Sequence, residues 1–460
     1  MRKTTALSIF SILGCILLWD TSSFRLLAQD NNTTLEPLTV SSDGHFLETT
    51  KGESFFWLGD TAWELFNKLT KEEILEYLDN RKAKGFNVIQ AVIFANTDKP
   101  MVPNRYGQVP FFSSDPDRPN ERYFELVDWT IKEAAKRRIY MGLLPTWGDK
   151  VLKNWSTAEE IFNQQNAYRY GCYLAKRYAD YSNIIWILGG DRPPLTDSVD
   201  KRPIWEKMLL GLREYPSIAK LATYHPWGES SSSDFWGNDG PWDLNMMQSG
   251  HAREDLEVWE WTERDFNKKP YRPILDGEPS YEDHPINWQA SKGYFRDWEV
   301  RKQLYRSVFS GACGVTYGHH SIWQFYSPDQ APIAGADRFW KEAMDRPGAF
   351  QAGYLKKLIL SKDAGNRIAD PSIILEKEFK EGEHPVAFRD TLSTYLMVYL
   401  PIGGQINLRT NQIKKNNLRV TWFSPGTGKR TKIEQIVNKG CQRFQAPGSG
   451  QGKDWVLLLE

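Results

Sequence analysis

The chain has 460 residues, more than one ordinary hydrophobic core needs, so two domains are expected. A hydrophobic fraction of 40% and a charged fraction of 25% are typical of a folded globular protein. Lys plus Arg and Asp plus Glu each number 58, so the formal net charge is zero. This balance indicates neither a nucleic-acid-binding surface nor a polybasic membrane patch. Aromatic residues are abundant, with 19 Trp, 20 Tyr and 23 Phe.

The first 28 residues are predicted to be a signal peptide, which places the protein in the secreted or periplasmic class. Arg2 and Lys3 precede an apolar stretch at residues 6–19 that is too short to span a bilayer. Ala28 fits the cleavage position, although Leu26 departs from the small-x-small rule. Lipid attachment at Cys15 is the weaker alternative, because apolar residues continue beyond it. Residues 29–35 then resemble a short polar linker, and no membrane span is expected.

From residue 36 to 358, strand-like and helix-like segments alternate, which predicts an α/β fold of the (β/α)8 TIM-barrel type. Thr70 and Glu73 form a capping box at the start of one helix, and Gly85 ends it. No Gly-x-Gly-x-x-Gly follows a strand, which argues against a dinucleotide-binding fold. The eight predicted strands are 54–60, 86–94, 139–144, 184–188, 221–224, 244–247, 273–276 and 313–318; helices are predicted at 70–85, 123–137 and 166–178.

Residues 362–460 are predicted to form a second domain, an all-β sandwich, because short strands separated by turn signals replace the earlier alternation. Pro425-Gly426 is one such turn signal, and residues 426–431 are interpreted as a hairpin turn. These residues faintly resemble a phosphate-binding loop, but Arg430 stands where that loop needs Ser or Thr. The predicted strands are 372–375, 394–400, 405–408, 419–423 and 455–459.

Two carboxylates, Asp191 and Glu278, each follow a short apolar strand that ends in glycine. About three βα units of roughly 30 residues lie between them, so their strands should face each other across a barrel mouth. A pair of carboxylates in one mouth is what hydrolysis of a glycosidic bond requires. Asp276 is the alternative candidate for the nucleophile. Its preferred role is to position Glu278 by hydrogen bonding or to tune the pKa of Glu278.

Other strand ends should converge on the same mouth and offer polar groups and flat aromatic surfaces to a polyhydroxylated ring. Each is weak evidence alone, and about half are expected to touch the ligand. Besides Asp276, the candidate substrate-binding residues are Asp60, Trp63, Asn96, Trp147, His225, Trp227, Gln248, Tyr317, His319 and Trp323.

No metal and no cofactor are expected. His225, His251, His319 and His320 could be imagined as ligands, but they lack the His-x-His and His-Glu-x-x-His spacings. Cys172, Cys313 and Cys441 have neither metal spacing nor a disulfide pattern, and isolated buried thiols are the preferred interpretation.

Four barrel stretches and two stretches of the tail carry a resemblance to a known family: residues 56–63, 85–90, 185–191, 277–282, 422–425 and 454–457. On these stretches the chain resembles the apiosidase-like glycoside hydrolases, family 140, over almost all of its mature length. The tail resembles the β-sandwich that follows the barrel in this family, a module that carries a collagen-binding label.

The resemblance implies exo-cleavage of a terminal β-linked apiofuranose from rhamnogalacturonan II side chains of pectin. Carried over by position, Asp191 matches the acid/base and Glu278 the nucleophile of a retaining enzyme. The expected partner is an oligosaccharide or polysaccharide, not nucleic acid. Two alternatives stay open: another (β/α)8 glycosidase, such as an endo-glucanase-like hydrolase, and a carbohydrate-binding surface protein without turnover.

Overall fold

Eight parallel strands form a ring at the centre of the protein, as the alternation predicted. The structure, a computed structural model, describes residues 34–94, 101–215 and 218–460. A three-stranded antiparallel sheet comes first: β1 Leu38–Val40, β2 Leu47–Thr49 and β3 Ser54–Phe55. The barrel sheet follows: β4 Trp57–Thr61, β5 Val88–Val92, β6 Tyr140–Leu144, β7 Ile184–Gly189, β8 Ala222–His225, the short antiparallel β9 Ser230–Ser231, β10 Asn245–Gln248, β11 Ile274–Asp276 and β12 Gly314–Tyr317.

The ring closes between β8 and β10. Seven parallel pairings run in the order β8-β7-β6-β5-β4-β12-β11-β10. At the remaining seam, the Thr223 hydroxyl donates to the Leu244 carbonyl at 2.8 Å. The Asp243 backbone amide donates to the Ala222 carbonyl at 2.9 Å. Closure brings the carboxyl ends of all eight strands to one mouth.

Helices follow the barrel strands and cover their outer faces. Helix α2 begins at the predicted capping box, with Thr70 and Glu73 exchanging side-chain and backbone hydrogen bonds. Within the described ranges, no helix has the length and apolar character needed to cross a bilayer. The helices are α1 Leu65–Lys68, α2 Lys71–Ala83, α3 Glu121–Lys136, α4 Gln164–Arg177, α5 Arg202–Leu212, α6 Ser232–Trp236, α7 Val258–Asn267, α8 Asp297–Phe309, α9 His320–Trp323, α10 Trp340–Ala343 and α11 Pro347–Ile359.

Strand alternation decides which side chains enter the barrel. On β4, Trp57 packs in the interior cluster, whereas Leu58 packs against the surrounding helices. Asp60 shares the outward face with Leu58 and is fully buried. Its Oδ2 accepts hydrogen bonds from Arg81 Nε and the Tyr77 hydroxyl, both at 2.5 Å. The ion pair therefore fixes α2 to β4.

The sheet β1–β3 covers the amino-terminal end of the barrel. Leu38 and Leu47 are buried in the same cluster as the interior residues. The Tyr140 hydroxyl, at the start of β6, donates to the Glu36 carbonyl at 2.5 Å, and its ring packs edge-on against Phe55. The amino-terminal end of the barrel is therefore covered by chain that precedes β4.

Antiparallel strands after α11 form two sheets. The strands are β13 Arg367–Ala369, β14 Val386–Asp390, β15 Leu396–Leu400, β16 Gly403–Arg409, β17 Asn417–Ser424, β18 Lys429–Val437, β19 Cys441–Ser449 and β20 Trp455–Leu459. One sheet has the order β13-β14-β15-β20-β17-β18, and the other pairs β16 with β19. The hairpin turn between β17 and β18 lies where it was predicted, with the Gly428 amide donating to the Ser424 carbonyl at 2.8 Å.

The six-stranded sheet packs on both faces. One face, including Val398 and Trp422, meets Phe444 of the two-stranded sheet in a hydrophobic core. The other face, including Tyr399, packs on α8, where the Tyr305 and Tyr399 rings stack at 4.9 Å. The all-β region therefore shares a core with the barrel's outer layer.

Some sequence predictions for the second half differ from the structure. Residues 372–375 are not a strand, because Asp370 caps a 3₁₀ turn at Pro371–Ile373 through the Ser372 amide. Strands β13, β14, β18 and β19 were not predicted; β18 and β19 are rich in polar residues, which masks their alternation. Of the three unpaired cysteines in the described part, only Cys313 is buried; Cys172 is half-buried and Cys441 is exposed.

Helix α8 links the all-β region to the barrel mouth. Arg301 Nη2 lies 2.6 Å from Asp454 Oδ1 just before β20, and both side chains are buried. Two residues along the helix, Gln303 Oε1 accepts from the Ser280 amide at 3.0 Å, and Gln303 Nε2 donates to the Ser280 hydroxyl. The same helix thus contacts the all-β region and the loop that follows Glu278.

Removing the Asp454 carboxylate should destabilise the protein, because the buried Arg301 guanidinium loses its main acceptor. We expect Asp454→Ala to cost about 3 kcal/mol in unfolding free energy. Urea unfolding should be compared with Asp337→Ala, whose side chain is 66% exposed and whose cost should stay below about 0.5 kcal/mol. A double change of Arg301→Met with Asp454→Leu should recover most of the loss. Equal stability of the two single variants would contradict this account.

Candidate active site

A cavity of about 580 Å³ opens at the carboxyl-terminal end of the barrel strands. Three indoles, of Trp63, Trp147 and Trp323, form a buried floor, whereas Trp155 and Trp288 stand half-exposed at the rim. Such a mixture of flat apolar walls and a few charged groups is typical of a small-ligand site. The remaining lining residues are Asp191, Arg192, His251, Glu278, Tyr281 and Ile333.

The backbone before Asp191 adopts a conformation that glycine permits. Gly189, Gly190 and Asp191 have φ angles of 87°, 121° and 52°. A Cβ at Gly189 would lie 2.3 Å from the His225 carbonyl oxygen, and one at Gly190 would lie 2.8 Å from the Trp147 ring. Only glycine fits both positions. The left-handed conformation of Asp191 itself is unusual for a non-glycine residue, and such strain concentrates at functional sites.

Asp191 faces the cavity with its carboxylate held at both oxygens. Gln248 Nε2 donates to Oδ1 at 3.2 Å, and Arg192 Nη1 lies 3.1 Å from Oδ2. The side chain is 32% exposed. Burial raises the pKa of Asp191 to about 6, and the nearby negative charge of Glu278 acts in the same direction. A carboxyl group with this pKa can carry a proton in mildly acidic water.

Glu278 lies in the opposite electrostatic environment. His225 Nε2 lies 3.0 Å from Oε2, and His251 Nε2 lies 3.2 Å from Oε1. Burial opposes ionisation, but the two imidazoles outweigh it and hold the pKa of Glu278 well below its usual range. One cavity therefore contains a carboxyl group that tends to keep its proton and another that stays ionised.

Asp276 lies beneath Glu278 rather than in the cavity. Its Oδ2 accepts from the Ser249 hydroxyl at 2.7 Å, and its Oδ1 from the Ser249 amide at 3.3 Å. The backbone amide of Glu278 also bonds to this carboxylate. Burial raises the pKa of Asp276 to about 7. These contacts place it where it can fix the backbone of Glu278.

The structure brings most of the other candidates to the cavity. Trp63, Trp147 and Trp323 line it, and the Trp63 indole donates to the Tyr281 hydroxyl at 2.9 Å. His225 and Gln248 contact the two carboxylates, as described above. Trp227 lies at the rim, stacked on Trp155.

Besides Asp276, three candidates lie away from the cavity, and the position of a fourth is not described. Asp60 pairs with Arg81 outside the barrel interior. Tyr317 is buried on the helix-facing side of β12, and its hydroxyl donates to Glu282 Oε2 at 2.6 Å. His319 Nε2 lies 3.2 Å from Asp283 Oδ2, away from the cavity lining. Sequence position alone does not tell which face of a strand end points inward. Asn96 lies outside the described residues.

Several cavity residues were not among the candidates. Arg192 and Tyr281 are close in sequence to the two carboxylates, so proximity along the chain could have suggested them. His251 was considered only as a metal ligand, and no three of His, Cys, Asp and Glu form a metal-binding group in the described part of the chain. Trp155 and Ile333 come from long loops without a distinguishing pattern, and Trp288 lies farther along the loop after Glu278.

Comparison with known proteins agrees with this architecture. A family model for the apiosidase-like catalytic domain matches residues 41–365. A model described as "Putative collagen-binding domain of a collagenase" matches residues 368–460. A search of curated proteins finds no match.

Solved structures extend the similarity over most of the chain. One described as "Glycoside hydrolase" is 33% identical, with a TM-score of 0.85, covering 92% of this chain and 96% of that one. A protein described as a glycoside hydrolase family 5 member from Bacteroides vulgatus ATCC 8482 is 32% identical, with a TM-score of 0.84, covering 92% of this chain and 93% of that one. The chain therefore belongs to the apiosidase-like family of glycoside hydrolases.

Proposed function

We propose that this protein is a retaining, exo-acting glycoside hydrolase that removes a terminal β-linked apiose from rhamnogalacturonan II side chains of pectin. The observation that carries the proposal is the contrast between two carboxyl groups in one cavity: the pKa of Asp191 is raised, and that of Glu278 is lowered. Two carboxyl groups with opposite protonation states are what this chemistry needs.

In the proposed first step, Asp191 protonates the glycosidic oxygen while a Glu278 oxygen attacks the anomeric carbon. The bond to the leaving group breaks, and a covalent glycosyl-enzyme forms on Glu278. In the second step, Asp191 takes a proton from water as the water attacks the same carbon, and the bond between that carbon and the Glu278 oxygen breaks. The released sugar keeps its configuration, and both residues return to their starting states.

The lowered pKa of Glu278 favours retention over inversion. An inverting enzyme needs its second carboxylate to accept a proton from water, and a carboxylate of low pKa is a poor proton acceptor. The same low basicity makes Glu278 a good leaving group when the glycosyl-enzyme is hydrolysed. Its contacts with His225 and His251 also hold both oxygens in place for attack on carbon.

The shape of the cavity supports exo action. The indoles of Trp63, Trp147 and Trp323 are buried at its base, which suits the binding of a single terminal sugar. Apiose as the terminal sugar is supported by the match to the apiosidase-like catalytic model. Pectic side chains are the source of such a terminus implied by the family resemblance.

The proposed location is secreted or periplasmic. The support is the charged start followed by an apolar stretch at residues 2–19, which lies outside the described residues. Attachment through Cys15 remains the weaker alternative to cleavage after Ala28.

Wild-type protein should release apiose from rhamnogalacturonan II oligosaccharides, and Glu278→Gln should reduce the rate about 1,000-fold or more, because the nucleophile is lost. Product analysis by chromatography measures release, and ¹H NMR of a methanol-transfer product should show retained β configuration. Asp337→Asn, at an exposed carboxylate, is the matched control. Shortened oligosaccharides without a monosaccharide would favour an endo enzyme, and binding without any product would favour a carbohydrate-binding protein.

The pH profile should report both carboxyl groups. Activity requires protonated Asp191, so kcat/KM should fall as pH rises through about 6. It also requires ionised Glu278, so the acid limb should lie below the usual range of a glutamate. In His251→Phe the acid limb should move to higher pH, because one imidazole that favours the charged form is lost. His384→Phe, whose imidazole stacks on Trp259, should leave both limbs unchanged. Unshifted profiles in both variants would contradict the role given to His251.

A further inference from the structure

Two indoles stand together at the cavity rim without a covering partner in the described structure. Trp155 is 57% exposed and Trp227 is 40% exposed. Their ring centroids are 6.5 Å apart and their planes differ by only 18°. Large aromatic surface left in water at the edge of a cavity is a feature of ligand-binding surfaces.

The indole of Trp155 is tied to the carboxyl group of Asp191. The Arg192 guanidinium lies 4.2 Å from the centre of the Trp155 ring, and Arg192 Nη1 lies 3.1 Å from Asp191 Oδ2. Cation–π contact of this kind fixes a ring at a rim that would otherwise turn freely. Trp155 therefore has a defined position relative to Asp191.

Trp227 is fixed to the same region through the loop after β8. The Ser230 hydroxyl donates to the Trp227 carbonyl at 2.7 Å, and the Glu229 amide donates to the Gln248 carbonyl at 2.8 Å. Gln248 in turn donates to Asp191. The Trp155 indole and the backbone at Trp227 are thus held by residues that contact Asp191, and the two rings stack on each other.

This position defines which part of a substrate the indoles would meet. Under the proposed function, Asp191 gives its proton to the glycosidic oxygen, so the leaving group lies on the Asp191 side of the cavity. The terminal sugar lies over the floor, against Glu278. A rim that adjoins Asp191 and Arg192 therefore faces the leaving group.

We propose that Trp155 and Trp227 form a binding surface for the saccharide leaving group, whose sugar rings place their C–H faces on the indoles. The inference rests on the proposed function for the identity of the acid, and it deepens that function. It predicts an enzyme that selects a glycan on both sides of the cleaved bond, rather than any terminal sugar on a small alcohol.

The test compares two substrates with the same terminal sugar: a rhamnogalacturonan II oligosaccharide and methyl β-apioside, whose methyl group is too small to reach the rim. In Trp155→Ala and Trp227→Ala, kcat/KM for the oligosaccharide should fall roughly 10- to 100-fold, as expected for loss of a large apolar contact. For the methyl glycoside the loss should be at least about fivefold smaller than for the oligosaccharide, and Trp155→Phe should show an intermediate loss on the oligosaccharide. Phe350→Ala, an exposed aromatic on α11, is the control and should change neither. Equal losses on both substrates, or none, would overturn the inference.

A binding measurement separates this inference from the proposed reaction. The Glu278→Gln protein should bind the oligosaccharide that remains after removal of apiose, measured by titration calorimetry, and Trp155→Ala in that background should weaken binding about tenfold or more. Apiose release by the wild type without this binding would overturn the inference and leave the function standing. Tryptophan-dependent binding without apiose release would refute the proposed function and support the surface.

Discussion

The contact between Glu278 and the imidazoles of His225 and His251 sets the electrostatics of the whole cavity. A buried carboxylate without partners would take up a proton, because desolvation penalises its charge. The two histidines reverse this preference, so negative charge persists at the centre of the barrel mouth. Burial raises the pKa of Asp191, and the charge of Glu278 raises it further. The protonation states of the two carboxyl groups are therefore linked.

The barrel makes this cluster possible because each member comes from a different strand end. His225 ends β8, Asp191 and Glu278 follow β7 and β11, and His251 lies in the loop after β10. Ring closure brings these ends to one mouth, although long stretches of sequence separate them. Local backbone geometry completes the arrangement. Gly189 and Gly190 allow a turn so close to His225 and Trp147 that any side chain there would collide.

The all-β region supports the loop after Glu278 through α8. Arg301 on that helix pairs with Asp454, and Gln303 holds Ser280, two residues after Glu278. A helix packed on its outer face against a β-sheet is a rigid support for that loop. The packing of Tyr305 on Tyr399 adds an apolar contact to the same support.

Sequence patterns alone predicted the order of the barrel strands and two carboxyl groups of the cavity. Apolar runs followed by glycine indicate where buried strands reach a rim. This local pattern was sufficient to select Asp191 and Glu278 as candidates. Their assignment to one cavity followed from counting βα units. Hydrophobic periodicity, helix-capping residues and turn residues are properties of neighbouring positions, so they can be recognised in the sequence.

Pairing and packing in the folded chain set which polar side chains enter the mouth and how each is charged. Asp60 and Tyr317 lie at strand ends like the candidates that reach the cavity, yet they point outward, because their place in the strand alternation is set by pairing with neighbours. Trp155 and Trp288 arrive on loops whose paths depend on the packing of the whole mouth. The pKa of a carboxyl group depends on burial and on charges that are distant in sequence, and those distances exist only once the barrel has closed.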